Sequence, residues 1–171
     1  MEQLSNSGLI SRVFYTSANG IPLQSEVNEK KFRLIYLDIG LMQNANKVNP
    51  NIILTDNVWQ VNEGSLAEQL VGQELLVTEN FYENTILYFW EKEDPGSTRE
   101  VDYVKQINSQ IVPIEVKAGK DGHLKSLHAF MKEKKIDLGV TISQAPLAFK
   151  DKILNLPFYL IGEIARIINE L

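Results

Sequence analysis

Two strand-like runs in the middle of the chain, separated by a polar segment, most constrain what this sequence can fold into. They occupy residues 99–103 and 113–117, and the segment between them has the composition of a hairpin turn. Because side chains alternate between the two faces of a strand, Glu115 and Lys117 point the same way. An antiparallel hairpin would therefore bring Asp102, on the first run, beside both of them.

These three side chains form a set from which metal-dependent nucleases build their active sites. Asp102 and Glu115 supply hard oxygen ligands of the kind that Mg²⁺ binds, since that cation uses one or two carboxylates and keeps several waters. Lys117 adds a positively charged side chain, which orients or activates a water or offsets charge on a phosphate. We therefore predict Asp102, Glu115 and Lys117 as catalytic residues, with Mg²⁺ as cofactor. The alternative is a cross-strand charge cluster, stable through pairing.

A helix is predicted upstream of these strands, running to about Thr78. Its apolar residues recur at helical spacing. Ser65 and Glu68 fit a capping box at its start, with serine as the N-cap. Glu74 falls on the apolar side of the predicted helix, which makes it a reserve candidate for the site. Glu100 alternates with Asp102 and is either a group that supports the site or a solvent-exposed charge.

Composition excludes several classes of protein. A length of 171 residues suits one domain, or one domain with a small appendage, and 44% hydrophobic residues is ordinary for a globular protein. The chain contains no cysteine, which rules out disulfides and thiolate zinc sites. With no signal-peptide pattern and no apolar run of membrane-spanning length, we expect a cytoplasmic protein without a membrane partner. The net charge of −5 argues against a dedicated high-affinity nucleic-acid binder.

Charge is unevenly distributed along the chain. Residues 62–102 contain ten acidic side chains and two basic ones, whereas residues 112–135 contain six lysines and three acids. Solvated helix faces account for most runs of this kind. The contrast also fits a cation pocket beside a surface that tolerates phosphate.

The first part of the chain has a different character from the rest. Strand-like runs at 8–15 and 32–37 flank the turn signal Asn19-Gly20. We interpret them as the tail and wing of a winged-helix unit whose first helices are missing. Residues 44–57 are rich in asparagine and read as a loop or linker. From Gly64 the predicted order is helix, three strands, helix, strand, and a final strand and helix.

Helix, three antiparallel strands, helix and strand is the core order of the PD-(D/E)XK nuclease superfamily, whose chemistry lies on the second and third strands. Several sequence strings together resemble one branch of it, the C-terminal domain of unknown function found on prokaryotic AAA+ ATPases of the archaeal and bacteroidal type. The strings are YLDIGL at 36–41, EQLVGQEL at 68–75, LYFW at 87–90, EVDY at 100–103 and IEVKAG at 114–119.

The resemblance implies an α/β fold with a mixed sheet. A restriction-endonuclease-like core (αβββαβ) would occupy residues 58–171, preceded by a partial winged-helix or wing segment and linker at 1–57. It also implies that Glu68 is a third metal ligand, aimed at the cation from the first helix, which competes with the capping-box interpretation. The sequence has no P-loop motif. We therefore expect a C-terminal fragment that lacks the ATPase.

Three functions are compatible with these features. The first is a magnesium-dependent nuclease, or a descendant that still binds Mg²⁺ and DNA. The second is a catalytically inactive interaction or regulatory module on the same fold, and the third is a structural appendage. The partners implied are DNA and either a P-loop ATPase domain or a second copy of the chain. Fold alone does not decide among them.

Overall fold

The elements of the fold are those of a computed structural model that describes residues 2–46, 63–78, 85–94, 97–119 and 123–171. In chain order they are α1 (Glu2–Asn6), β1 (Ile10–Thr16), a short 3-10 helix (Leu23–Glu26), β2 (Val27–Tyr36), α2 (Ile39–Ala45), α3 (Glu63–Val77), β3 (Leu87–Asp94), β4 (Ser97–Ile107), β5 (Gln110–Val116), α4 (Lys125–Lys134), β6 (Gly139–Ser143), β7 (Ala148–Lys150), β8 (Ile153–Pro157), a second 3-10 helix (Phe158–Glu163) and α5 (Ile164–Asn169).

The eight strands of the described residues belong to one mixed sheet in the order β2-β1-β3-β4-β5-β6-β8-β7. The three central strands β3, β4 and β5 are antiparallel neighbours, and β6 lies parallel to β5. The predicted order of helix, three strands, helix and strand is therefore present, as α3, β3 to β5, α4 and β6. The predicted α/β class with a mixed sheet is confirmed.

Alternation along β3 divides the core between the two faces of the sheet. Phe89 belongs to the main cluster, which includes Val71 and Leu75 of α3. The next residue, Trp90, packs in a second cluster against Phe130 of α4, with ring centroids 5.0 Å apart. Successive side chains of a strand point to opposite faces. The two helices therefore cover opposite faces of the central strands.

The N-terminal strands are part of this same sheet. β1 pairs antiparallel with β2, as the predicted hairpin requires, and parallel with β3. The connection from β1 to β2 contains the 3-10 helix and is longer than the tight turn expected at Asn19-Gly20. The strands of the expected wing thus continue the central sheet. The predicted domain boundary after residue 57 lies outside the described residues.

The β4–β5 hairpin is the element that positions the predicted site. Only Asn108 and Ser109 separate the two strands, and Asn108 has a φ of 55°, a left-handed conformation that asparagine tolerates in tight turns. Its Nδ2 donates a hydrogen bond to Oδ1 of Asn169 at 2.6 Å. The predicted turn is therefore confirmed. Among the described helices, none combines the length and the apolar character needed to cross a membrane.

Candidate active site

Asp102 lies where β4 departs from regular pairing. Between Val101 and Val104 the β4 strand contains one residue more than the facing stretch of β3. Such a bulge locally bends a strand and re-aims a side chain. Oδ2 of Asp102 accepts a hydrogen bond of 2.7 Å from the backbone N–H of Val116 on β5. Asp102 is thereby joined to the β5 residue that stands between Glu115 and Lys117.

Glu115 and Lys117 contact each other directly. Nζ of Lys117 lies 2.7 Å from Oε1 of Glu115, as expected for two residues on the same face of an extended segment. The Lys117 backbone N–H bonds to the carbonyl of Ile142 and continues the pairing with β6. Oε2 of Glu115 is buried and has no hydrogen-bond partner in the described part of the chain. One carboxylate oxygen is thus held and the other is available.

Glu68 approaches this cluster from helix α3. The helix begins at Glu63, so Ser65 is its third residue and the predicted capping box is wrong. Tyr103 of β4 donates a hydrogen bond of 2.7 Å from its hydroxyl to the backbone carbonyl of Glu68 and ties the helix to the sheet. Together Glu68, Asp102 and Tyr103 line part of a cavity of about 210 Å³.

The three carboxyl groups share a poorly solvated, negative environment. Burial, followed by the charge of Glu68, raises the pKa of Asp102 to about 8. Burial is also the main cause that raises the pKa of Glu68 and of Glu115. Lys117 opposes the shift at Glu115 through its hydrogen bond and charge. The cluster therefore favours a group that brings positive charge.

Arg33 is a residue of this region that sequence reasoning missed. It lies on β2 and lines the same cavity. Its guanidinium contacts Oε1 of Glu100 at 2.6 Å and stacks over the ring of Phe89, 4.2 Å from the centroid. Glu100 is thus an ion-pair partner at the edge of the site. Arg33 was not recognisable from the sequence because only the pairing of β2, β1 and β3 brings it there.

Other polar residues lie away from the cluster. Glu74 is exposed, so its predicted position on the apolar side of the helix is wrong. His123 and His128 are also exposed.

The carboxylates of the cluster supply part of the ligand set that a divalent cation needs. Within the described residues, no group of three histidine, aspartate or glutamate side chains is arranged to hold an ion. Asp102 and Glu115 nevertheless offer buried carboxylate oxygens, and one of them, Oε2 of Glu115, has no partner among those residues. Mg²⁺ commonly binds through one or two carboxylates and retains waters. The residues therefore fit a hydrated hard cation and do not form a closed cage around one.

Comparison with known proteins gives one family. No curated protein and no solved structure matches the chain. One family model, described as a domain of unknown function (DUF4143), matches residues 63–159, which include α3, the β4–β5 hairpin and all four predicted site residues. Because this match spans more than half of the 171 residues, the chain belongs to the DUF4143 family.

Proposed function

We propose that this domain is a nuclease-like module that hydrolyses phosphodiester bonds with the help of Mg²⁺. The observation that carries the proposal is the joining of Asp102 to the Glu115–Lys117 pair through the Val116 N–H, with Oε2 of Glu115 buried and unpartnered in the described part of the chain. This supplies two hard ligands and one amine at a single point.

The residues would have distinct roles in such a reaction. Asp102 and Glu115 would hold the cation, with Glu68 adding charge from α3. The bound cation would act as a Lewis acid that stabilises negative charge on the phosphate. Lys117, held by Glu115, would keep an ammonium beside the reacting group and orient the attacking water. Glu115 therefore positions Lys117 as well as serving as a ligand.

The fold and the sequence support a nuclease-like domain that acts with an ATPase on DNA. The succession α3, β3 to β5, α4 and β6, with β6 parallel to β5, agrees with a restriction-endonuclease-like core. The sequence strings that resemble C-terminal domains of AAA+ ATPases support a P-loop ATPase as partner and DNA as substrate. We include both in the proposal.

Titration with Mn²⁺ and a cleavage assay test it together. We expect calorimetry to detect Mn²⁺ binding to the wild type and a loss of at least about tenfold in affinity for Asp102→Ala. At high protein concentration, Mg²⁺-dependent cleavage of DNA should be lost in Lys117→Ala. Lys152→Ala is a matched control, since Lys152 is an exposed lysine paired with Asp137. Absence of Mn²⁺ binding by the folded wild type would contradict the proposal.

A catalytically inactive interaction module is the second candidate. One observation favours it: no group of three metal-binding side chains is present in the described ranges. This alternative predicts a folded protein that neither binds Mn²⁺ nor cleaves DNA. Its expected partner is the ATPase domain.

A further inference from the structure

A row of polar side chains crosses three neighbouring strands beside the candidate site. In the parallel pairing of β5 with β6, Glu115 is opposite Thr141, and in that of β6 with β8, Thr141 is opposite Asn155. Residues paired in this way carry their side chains on the same face of the sheet. Thr141 therefore stands between Glu115 and Asn155.

Asn155 hydrogen-bonds to the end of β6 and to the segment that follows it. Its Oδ1 accepts a hydrogen bond of 2.7 Å from the Ser143 hydroxyl, and its Nδ2 donates to the carbonyls of Ala145 and Pro146. These bonds fasten the segment that follows β6. None of them involves the Thr141 hydroxyl.

Two buried oxygens of this row lack a partner among the described residues. Thr141 is 6% exposed and Glu115 is 7% exposed. Neither Oγ1 of Thr141 nor Oε2 of Glu115 makes a hydrogen bond to any of the described residues. Buried polar atoms are nearly always satisfied, and where protein does not satisfy them an ordered water or an ion commonly does. Two such atoms on directly paired residues mark a shared binding position.

We propose that Thr141 is a positioning residue for the cation site, whose hydroxyl donates a hydrogen bond to a water that also contacts Oε2 of Glu115. That water would belong to the hydration shell of the divalent cation held by Asp102 and Glu115. The inference rests on the proposed function and adds a residue from β6 to it. Mutation of a group that orients a cation ligand through a hydrogen bond typically lowers metal affinity by about 10- to 100-fold.

Calorimetric titration with Mn²⁺ on matched variants tests the inference. Thr141→Val removes the hydroxyl at nearly constant shape, and Thr141→Ser keeps it. Thr16→Val is the control, because Thr16 is a fully buried threonine whose hydroxyl bonds to Leu23 and Ala18, within the β1–β2 connection. We expect Mn²⁺ affinity to fall by about tenfold or more in Thr141→Val. Thr141→Ser and Thr16→Val should bind like the wild type.

Thermal melting in chelator shows that each variant is folded, and Thr141→Ala replaces Thr141→Val if the latter is not. Equal Mn²⁺ affinity of wild type and Thr141→Val would overturn the role of Thr141 and leave the proposed function standing. Equal weakening in Thr141→Val and Thr141→Ser would also overturn it, since a structural perturbation would then be the cause. Failure of the folded wild type to bind Mn²⁺ would overturn the proposed function, and this inference with it.

Discussion

At the scale of single residues, the protonation of Asp102 is the property of the candidate site that its environment changes most clearly. It is buried within a bulge, it accepts one backbone hydrogen bond, and its pKa is raised to about 8 by burial and by Glu68. The carboxyl pKa in an unfolded chain is about 3.9. Between these two values the folded protein holds a proton that the unfolded chain has released.

This difference predicts a fall in stability with pH. When the folded state binds more protons than the unfolded state, the free energy of unfolding decreases as pH rises. Asp102 therefore leaves the free energy of unfolding unchanged below about pH 4 and lowers it progressively between about pH 4 and pH 8. Each pKa unit corresponds to about 1.4 kcal/mol, so a difference of about four units sets an upper limit of roughly 6 kcal/mol on the loss.

Asp102→Asn should remove much of this loss, because asparagine does not ionise and its carbonyl can still accept the Val116 N–H. We expect the melting temperature of the variant, measured in chelator, to exceed that of the wild type by a margin that grows from pH 5 to pH 8. Parallel pH profiles for the two proteins would contradict the assignment of Asp102 as a buried, protonated carboxyl group.

At the scale of elements, the close approach of α3 to the sheet places Glu68. A Cβ added at Gly72 would lie 2.2 Å from Cδ1 of Ile35 and 2.5 Å from the hydroxyl of Tyr103, the group that bonds to the Glu68 carbonyl. A larger residue at this position would therefore displace the Ile35 side chain or the Tyr103 hydroxyl, or move the helix away from the sheet. The position of Glu68 depends on a residue that carries no functional group.

Gly72→Ala is expected to lower the free energy of unfolding by about 1 kcal/mol or more. Overpacking in a core costs about 1–3 kcal/mol, which exceeds the gain of up to about 1 kcal/mol from helix propensity. Gly64→Ala in the same helix is the control, since no atom of the described residues lies within 4 Å of its added Cβ, and it should be neutral or stabilising. Urea unfolding measures both. A stabilised Gly72→Ala variant would contradict the close packing of α3 against Ile35 and Tyr103.

At the scale of the whole molecule, the continuous sheet predicts that the described strands unfold together. β1 joins β2 to the central strands, and Val13 of β1 belongs to the same buried cluster as the α3 residues. We expect Val13→Ala to shift one cooperative transition by about 1–3 kcal/mol, the cost of a core truncation. Circular dichroism and intrinsic fluorescence should give coincident curves. A separate early transition would indicate that the N-terminal strands form an independent unit.

The charge of the whole chain predicts weak attraction to DNA. Phosphate contacts supply most non-specific affinity and depend on lysine and arginine. The chain has 17 basic and 22 acidic residues. We therefore expect a Kd for duplex DNA no tighter than about 10⁻⁴ M, the weak end of non-specific binding, and slow cleavage at best. Fluorescence anisotropy and a gel assay test this, and rapid Mg²⁺-dependent cleavage at physiological salt would contradict it.

The sequence by itself determined the features that depend on local patterns. Alternating and helical periodicity predicted the order of elements from α3 to β6, and the turn residues between β4 and β5 predicted the hairpin. Because Glu115 and Lys117 are two residues apart on an extended segment, their contact also followed from the sequence. These properties are set by neighbours in the chain.

Only the tertiary structure decided the features that depend on distant parts of the chain. The parallel pairing of β1 with β3 made the expected wing an extension of the central sheet and brought Arg33 to the site. The predicted capping role of Glu68 is wrong because α3 begins at Glu63, two residues before Ser65. The pairing of β5 with β6 set Thr141 beside Glu115. No local pattern encodes such contacts, because they arise from packing between segments that the chain separates by tens of residues.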